Sequence, residues 1–300
     1  MRIGLFGGDT TARTVSDIVA DATLCESEGF DSYWLPQIFG LDAITALAIV
    51  GSAVPRIELG TAVVPTFPRH PTMMASQAAT AAAASQGRFI LGIGLSHQIV
   101  VESMWGMSYD KPARHMREYL SILMPLLREG NVSFAGETLT AHTPLTVADP
   151  QPVPVMIAAL APMMLKLAGA FADGTITWMT GPATLGDYIV PNIAAAASDA
   201  GKPAPRVAAS LPVCITADPD AARTAAATDF AVYGTLPSYR AMLDREGASG
   251  PADVAIVGDE GAVAKSIQQL ADVGVTDFAA ASFGSREAQA RTRSFLQTLV

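Results

Sequence analysis

The sequence predicts an α/β protein, a (β/α)8 TIM barrel, from three observations. Strand-length apolar runs alternate with helical patterns from one end of the chain to the other, and there are eight such pairs. Several of the strand runs are continuously apolar, as expected where helices cover the outside of a parallel sheet and packed side chains fill its inside. The chain has 300 residues, 50% hydrophobic and 16% charged, enough to bury one large core without a linker, so residues 1–300 are read as one domain. A doubly wound sheet ranks second, because GLFGGD near the N-terminus does not supply the GxGxxG such a fold would need there.

The strands are read at Ile3–Phe6, Ser32–Leu35, Ile57–Val64, Phe89–Ile93, Val153–Ala158, Gly174–Met179, Val207–Ile215 and Thr276–Ala281. Helical patterns lie near 12–28, 42–53, 72–85, 112–128, 162–172, 183–200, 219–245 and 259–273, with a last one near 285–299. Asp9 is read as a cap for the first of them. Two stretches break the repeat. Residues 131–150 read as a hairpin or loop insertion after the fourth helix, punctuated by Gly136 and Pro144. Residues 216–258 are longer than one helix, with breaks at Gly234–Pro237 and Gly247–Pro251, and read as a lid or an interface element.

Charge and cysteine usage narrow the function. A net charge of −9 without any Lys/Arg run argues against a nucleic-acid partner and against anionic membrane surfaces. No apolar stretch reaches the roughly eighteen residues of a membrane span. The N-terminus lacks a signal-peptide pattern, so a cytoplasmic protein is expected. Cys25 and Cys214 sit in apolar helix and strand patterns and read as buried free thiols. The four histidines show neither HxH nor HExxH spacing, so no metal site is expected, and no GxSxG elbow is present.

In a barrel of this kind the site is built where the strands end at their carboxyl side. The stretch RFILGIGLSHQ ends a strand in Gly94, Leu95 and Ser96 and then presents His97. Other strand ends offer Gly8, Gln37, Phe39, Phe67, His70 and Trp178, a mostly apolar and aromatic set that suits a flat ring better than a sugar phosphate or a metal. His115, with Arg114 and Arg117 in KPARHMREYL, reads as a solvated helix face or a subunit contact. Trp34, nearer a strand middle, reads as core.

The runs ELGTAVVPTFPRHP and HPTMMASQAATAAAASQGRFILGIGLSH resemble the luciferase-like flavin and deazaflavin oxidoreductases, whose fourth strand follows Ser-x-Gly-Arg and reads LGxG. Residues 154–178 and 252–278 carry further matches, and the details look closest to the branch that uses the deazaflavin coenzyme F420. The resemblance implies a non-prolyl cis peptide at Ala62–Val63 behind the tricyclic ring. It implies ring and side-chain contacts at Gln37, Gly94, Leu95, Ser96 and His97, and a phosphate held by Ala159, Leu160 and Ala161 with the helix-opening Met163 and Met164. Substrate would meet Gly8, Phe39, Phe67, His70 and Trp178.

Members that oxidise sugar phosphates carry an Asp-His pair, a Glu and a Lys where this chain has Gln37, Ile38, His97 and Gly181-Pro182, which argues against that activity. The implied function is hydride transfer between F420 and a small organic substrate. His97 would be the catalytic residue, moving a proton with an ordinary pKa near about 6.5, or it would only hold the coenzyme. The alternatives are an FMN-dependent monooxygenase using reduced flavin and oxygen, and a non-catalytic flavin-binding protein. A homodimer is the family's usual assembly.

Overall fold

The computed structural model describes residues 1–8 and 10–300. Its strands are β1 (Arg2–Phe6), β2 (Ser32–Leu35), β3 (Glu58–Thr61), β4 (Val64–Pro65), β5 (Phe89–Gly94), β6 (Asn131–Ala135), β7 (Thr140–Pro144), β8 (Val155–Ala158), β9 (Gly174–Trp178), β10 (Arg206–Ile215), β11 (Ile256–Gly258) and β12 (Asp277–Ser282). Among the described residues, eight parallel strands close in the order β1-β2-β3-β5-β8-β9-β10-β12 and back to β1, with helices between them: a TIM barrel.

The interior is filled by one large ring and small neighbours. Side chains two apart on a strand share a face, and the inward set contains Trp34, Ile90, Met156, Ile176, Ala208 and Ala279. Trp34 is 1% exposed and donates from Nε1 to Ser32 Oγ at 2.8 Å. Gly60, beside it on β3, makes this possible: a Cβ there would lie 2.2 Å from the indole. Trp34 is therefore core, as expected, but core of the barrel's inside.

Below Trp34, at the amino ends of the strands, four charges form a plug. Arg206 on β10 holds Asp277 at 2.6 Å and reaches across to Glu58 on β3 at 3.1 Å, while Arg2 holds Glu58 at 2.7 Å and also contacts Asp277. Asp277 is 1% exposed, and the two guanidiniums are what make its burial tolerable.

The expected strand Ile57–Val64 is interrupted. β3 ends at Thr61, the Ala62–Val63 peptide is cis, and β4 resumes against the end of β5. The insertion after the fourth helix is the hairpin β6–β7, pinned by the buried Glu118 of helix Pro112–Glu129. That carboxylate accepts from the backbone N–H groups of Glu137, Thr138 and Leu139 and from Thr138 Oγ1. Burial opposes its ionisation, but these bonds outweigh it and lower its pKa.

The long segment divides at its glycines and prolines into helices Pro219–Asp229 and Pro237–Glu246, joined by a 3-10 turn at Ala231–Gly234. The sequence reading missed β11, which pairs with the end of the ten-residue β10 beyond the barrel. It also took 183–200 as one helix; a π turn at Leu185–Ile189 interrupts it, because Pro191 has no N–H to close the next α-helical bond.

The cap expected at Asp9 lies outside the described residues; helix Val15–Ser27 is capped by Thr14, reciprocally with Asp17. Cys25 and Cys214 are buried and free. Among the described residues no helix is long and apolar enough to cross a membrane.

Candidate active site at the mouth of the barrel

The end of β5 is shaped by its glycines. A Cβ on Gly94 would lie 2.7 Å from Val63 Cγ2, so glycine lets the strand pass close to the break after β3. Ser96 then adopts a left-handed conformation (φ 63°), and its carbonyl accepts from Tyr109 Oη at 3.4 Å. This turn delivers His97, whose own carbonyl accepts from Val100 and Val101 N–H and starts a π turn at Val100–Met104. The His97 side chain is half-buried, and burial lowers its pKa. At pH 7 it is a neutral imidazole, able to accept a proton.

Rings connect His97 to the end of β9, two strands round the barrel from β5. His97 lies 5.7 Å from Tyr239, Tyr239 stands edge-on to Tyr233 at 5.1 Å, and Tyr233 stands edge-on to Trp178 at 5.8 Å. Trp178, at the end of β9, stacks on Phe6 at the end of β1 (5.5 Å) and meets the edge of Phe230 at 6.0 Å. Its indole N–H is sealed from solvent and has no hydrogen-bond partner among the described residues. Such a donor is costly to leave unpaired.

Phe6, Phe230, Tyr233 and Tyr239 were not among the residues singled out from sequence. Period-two alternation from Gly4 would have placed Phe6 on the inner face. The other three lie in the long segment read as a lid or interface element, whose path over β9 no local pattern shows.

A second column of rings backs the loop after β4. His115 stacks on Phe67 at 4.1 Å with planes 5° apart, and Tyr109 stacks on the same Phe67 at 5.3 Å. His115 Nε2 is hydrogen-bonded to Thr66 Oγ1 at 3.1 Å. The solvated-face reading of His115 is thus corrected: Arg117 is exposed and Arg114 pairs with Glu137, but the imidazole packs inward. Burial lowers its pKa to about 4, against a smaller opposing effect of Glu118, so it is neutral at pH 7.

The remaining sequence candidates separate. Leu95 is half-buried beside Gly94, and Ala62 and Val63 pack against the barrel interior. Gln37 is engaged structurally, its Oε1 accepting from Ala43 N at the start of helix Ala43–Ala53. Phe39 is 57% exposed on the rim. His70 caps helix Pro71–Ala84 through Nδ1 and lines a cleft of about 480 Å³ shared with β7 residues such as His142. Gly8, with Phe6, Ser282, Arg13 and Arg293, lines a cavity of about 640 Å³ between the ends of β1 and β12.

Ala159 and Met164 are buried, Leu160 is half-buried, and Ala161 and Met163 are exposed. Ala161 leads into helix Pro162–Phe171 without any side-chain cap, unlike the helices capped by Thr14, Asp42, Asp218, Asp259 and Ser285. Its first N–H groups are therefore left for another acceptor, which fits a phosphate-bearing coenzyme such as F420 or FMN. No group of His, Cys, Asp and Glu suited to a metal ion occurs among the described residues.

A parallel barrel with its chemistry-bearing residues gathered at the strands' carboxyl ends is an enzyme architecture. The chain belongs to the luciferase-like monooxygenase family, whose profile matches residues 2–277. A putative coenzyme F420-dependent oxidoreductase of Mycobacterium tuberculosis is 34% identical over 205 residues, 63% of this chain and 58% of that one. Among solved structures, the coenzyme F420-dependent tetrahydromethanopterin reductase of Methanopyrus kandleri superposes with a TM-score of 0.80 at 22% identity, covering 99% of this chain and 97% of that one. The oxygenating constituent of 3,6-diketocamphane monooxygenase from Pseudomonas putida, in complex with FMN, superposes with a TM-score of 0.77 at 15% identity, over 99% and 96%.

Proposed function

We propose that this protein is an F420-dependent oxidoreductase that moves a hydride between the deazaflavin C5 and a small organic substrate. The observation that carries this reading is His97: a neutral, half-buried imidazole presented by a glycine-shaped strand end and joined by rings to Trp178 at the end of β9. F420 is favoured over FMN by the likeness to the putative coenzyme F420-dependent oxidoreductase of Mycobacterium tuberculosis.

When bound, the coenzyme would supply or accept the hydride. The residues proposed to hold it are Ala62, Val63 and Gly94–His97 at the ring, and Ala159–Ala161 with the N–H groups of Met163 and Met164 at the phosphate. His97 would take a proton from a substrate hydroxyl, or return one to a carbonyl oxygen, at the reacting carbon's side of the ring. Phe67, Trp178 and the rings around Trp178 would exclude water.

Titration of purified, cofactor-stripped protein with F420 and separately with FMN, followed by ligand fluorescence, tests the reading. Micromolar or tighter F420 binding with weak FMN binding is expected. The reverse preference points to an oxygen-using flavin enzyme and overturns the proposal, and so does binding of neither.

A further inference from the structure

The ring-lined part of the mouth holds an unsatisfied donor. Trp178 Nε1 is buried without a partner, while Phe6 stacks on its ring and Phe230 and Tyr233 stand edge-on to it. Phe230 in turn meets the edge of Phe283 at 5.6 Å. Phe230 and Tyr233 belong to the short 3-10 segment between two helices, bounded by Gly234 and Pro237, where the chain can swing without breaking either helix. The loops around the mouth expose Ile38, Phe39, Ile99, Met104 and Val232 to water. Such a rim favours apolar ligands.

Most of the cations nearest this rim in the chain are engaged, although Arg69 Nη1 is buried without a partner. Arg69 pairs with Asp42, Arg114 with Glu137, and Arg240 with Asp244 and with the carbonyls of Ala248 and Ser249. An anionic ligand would enter an aromatic enclosure with a single neutral donor, and burying its charge there would be unfavourable.

We infer that the substrate is an uncharged, ring-bearing carbonyl or alcohol compound whose oxygen accepts from Trp178 Nε1, entering as Phe230 and Tyr233 swing aside. This rests on the placement of the reaction at the barrel mouth proposed above. Trp178 is then a specificity-determining residue: its ring selects apolar skeletons and its N–H selects those carrying an accepting oxygen.

Three probes of similar shape test this by calorimetric titration, each with and without F420: 1-tetralone, tetralin, which lacks the oxygen, and 1-naphthoate, which carries a charge. The expected order is tetralone tightest, tetralin roughly 3- to 10-fold weaker for the loss of one hydrogen bond, and naphthoate weaker by more than about 10-fold. Trp178→Phe should bring tetralone and tetralin to equal affinity. Naphthoate binding as tightly as tetralone, a tetralone-to-tetralin ratio that Trp178→Phe leaves unchanged, or no tetralone binding in either state overturns the inference.

If Trp178→Phe does not fold, the wild-type comparison of tetralone with tetralin decides alone, equal affinities overturning it. Loss of F420 binding with the probe order intact would sink the coenzyme assignment and leave the ligand class standing. Intact F420 binding with the order reversed would sink the ligand class alone.

Discussion

The two ends of the barrel are built on opposite principles. At the amino end, Arg2, Glu58, Arg206 and Asp277 bring four charges together, and each carboxylate has two guanidinium partners. At the carboxyl end the rings around Trp178 are uncharged, and Trp178 Nε1, Thr10 Oγ1 and Arg69 Nη1 are buried without partners. Left-handed non-glycine residues occur at both ends, Ser96 and Met179 after their strands and Gln86 before β5. The amino end is closed by paired charges; the carboxyl end carries Trp178 Nε1, an unsatisfied donor a ligand could complete. On the proposed function, stability and ligand binding are separable along the barrel axis.

The largest effect that would test this separation is at the plug. Asp277→Ala leaves Arg2 and Arg206 with Glu58 as their one shared carboxylate and should cost about 3 kcal/mol in urea unfolding, with F420 affinity of the folded protein unchanged. Coenzyme binding that weakened in step with stability would show that the ends are coupled. His97→Ala should do the converse. Turnover, once a substrate is found, should drop by on the order of 100-fold or more, while unfolding free energy moves by less than about 0.5 kcal/mol.

Acid should strike the functional end through its histidines. Both His97 and His115 have pKa values lowered by burial in the folded state. The unfolded chain therefore binds protons first as pH falls, so the stability they contribute is present above pH 6.5 and is lost below it, for His115 down to about pH 4. Melting temperature measured from pH 7 to 4.5 should fall less steeply in His115→Gln than in the wild type. A parallel course would show that His115 is charged or solvated in the native protein.

The smallest effect is expected at the hairpin, which belongs to neither end. Glu118→Gln weakens the four bonds that pin it and should cost about 1 kcal/mol. Hydrogen exchange should speed up in residues 131–144 and stay unchanged around Ser96.

The strands that read most clearly from sequence were those buried on both faces, such as Phe89–Gly94, where a continuous apolar run has few alternatives. The strand after Ile57 read as one run because its composition is mostly apolar; the cis peptide that breaks it at Ala62–Val63 was expected only from the family resemblance. His97 was legible because it follows a strand and glycines. Tyr239, 142 residues further along the chain in helix Pro237–Glu246, was not, since only the fold of the long segment carries it to within 5.7 Å of His97. His115 was misread for a related reason: its helix is amphipathic, and a histidine at the margin of the polar face gives no sign that Phe67 will stack on it.

The sequence by itself determined the architecture, because alternating strand and helix patterns of this number can bury their apolar faces in few ways, and it determined which strand end carries the titratable group. The tertiary structure decided the surroundings of the side chains at the barrel mouth. Partners for His97, Trp178 and His115 come from chain positions tens of residues away, and their protonation and hydrogen-bonding state follow from burial, which local sequence does not set.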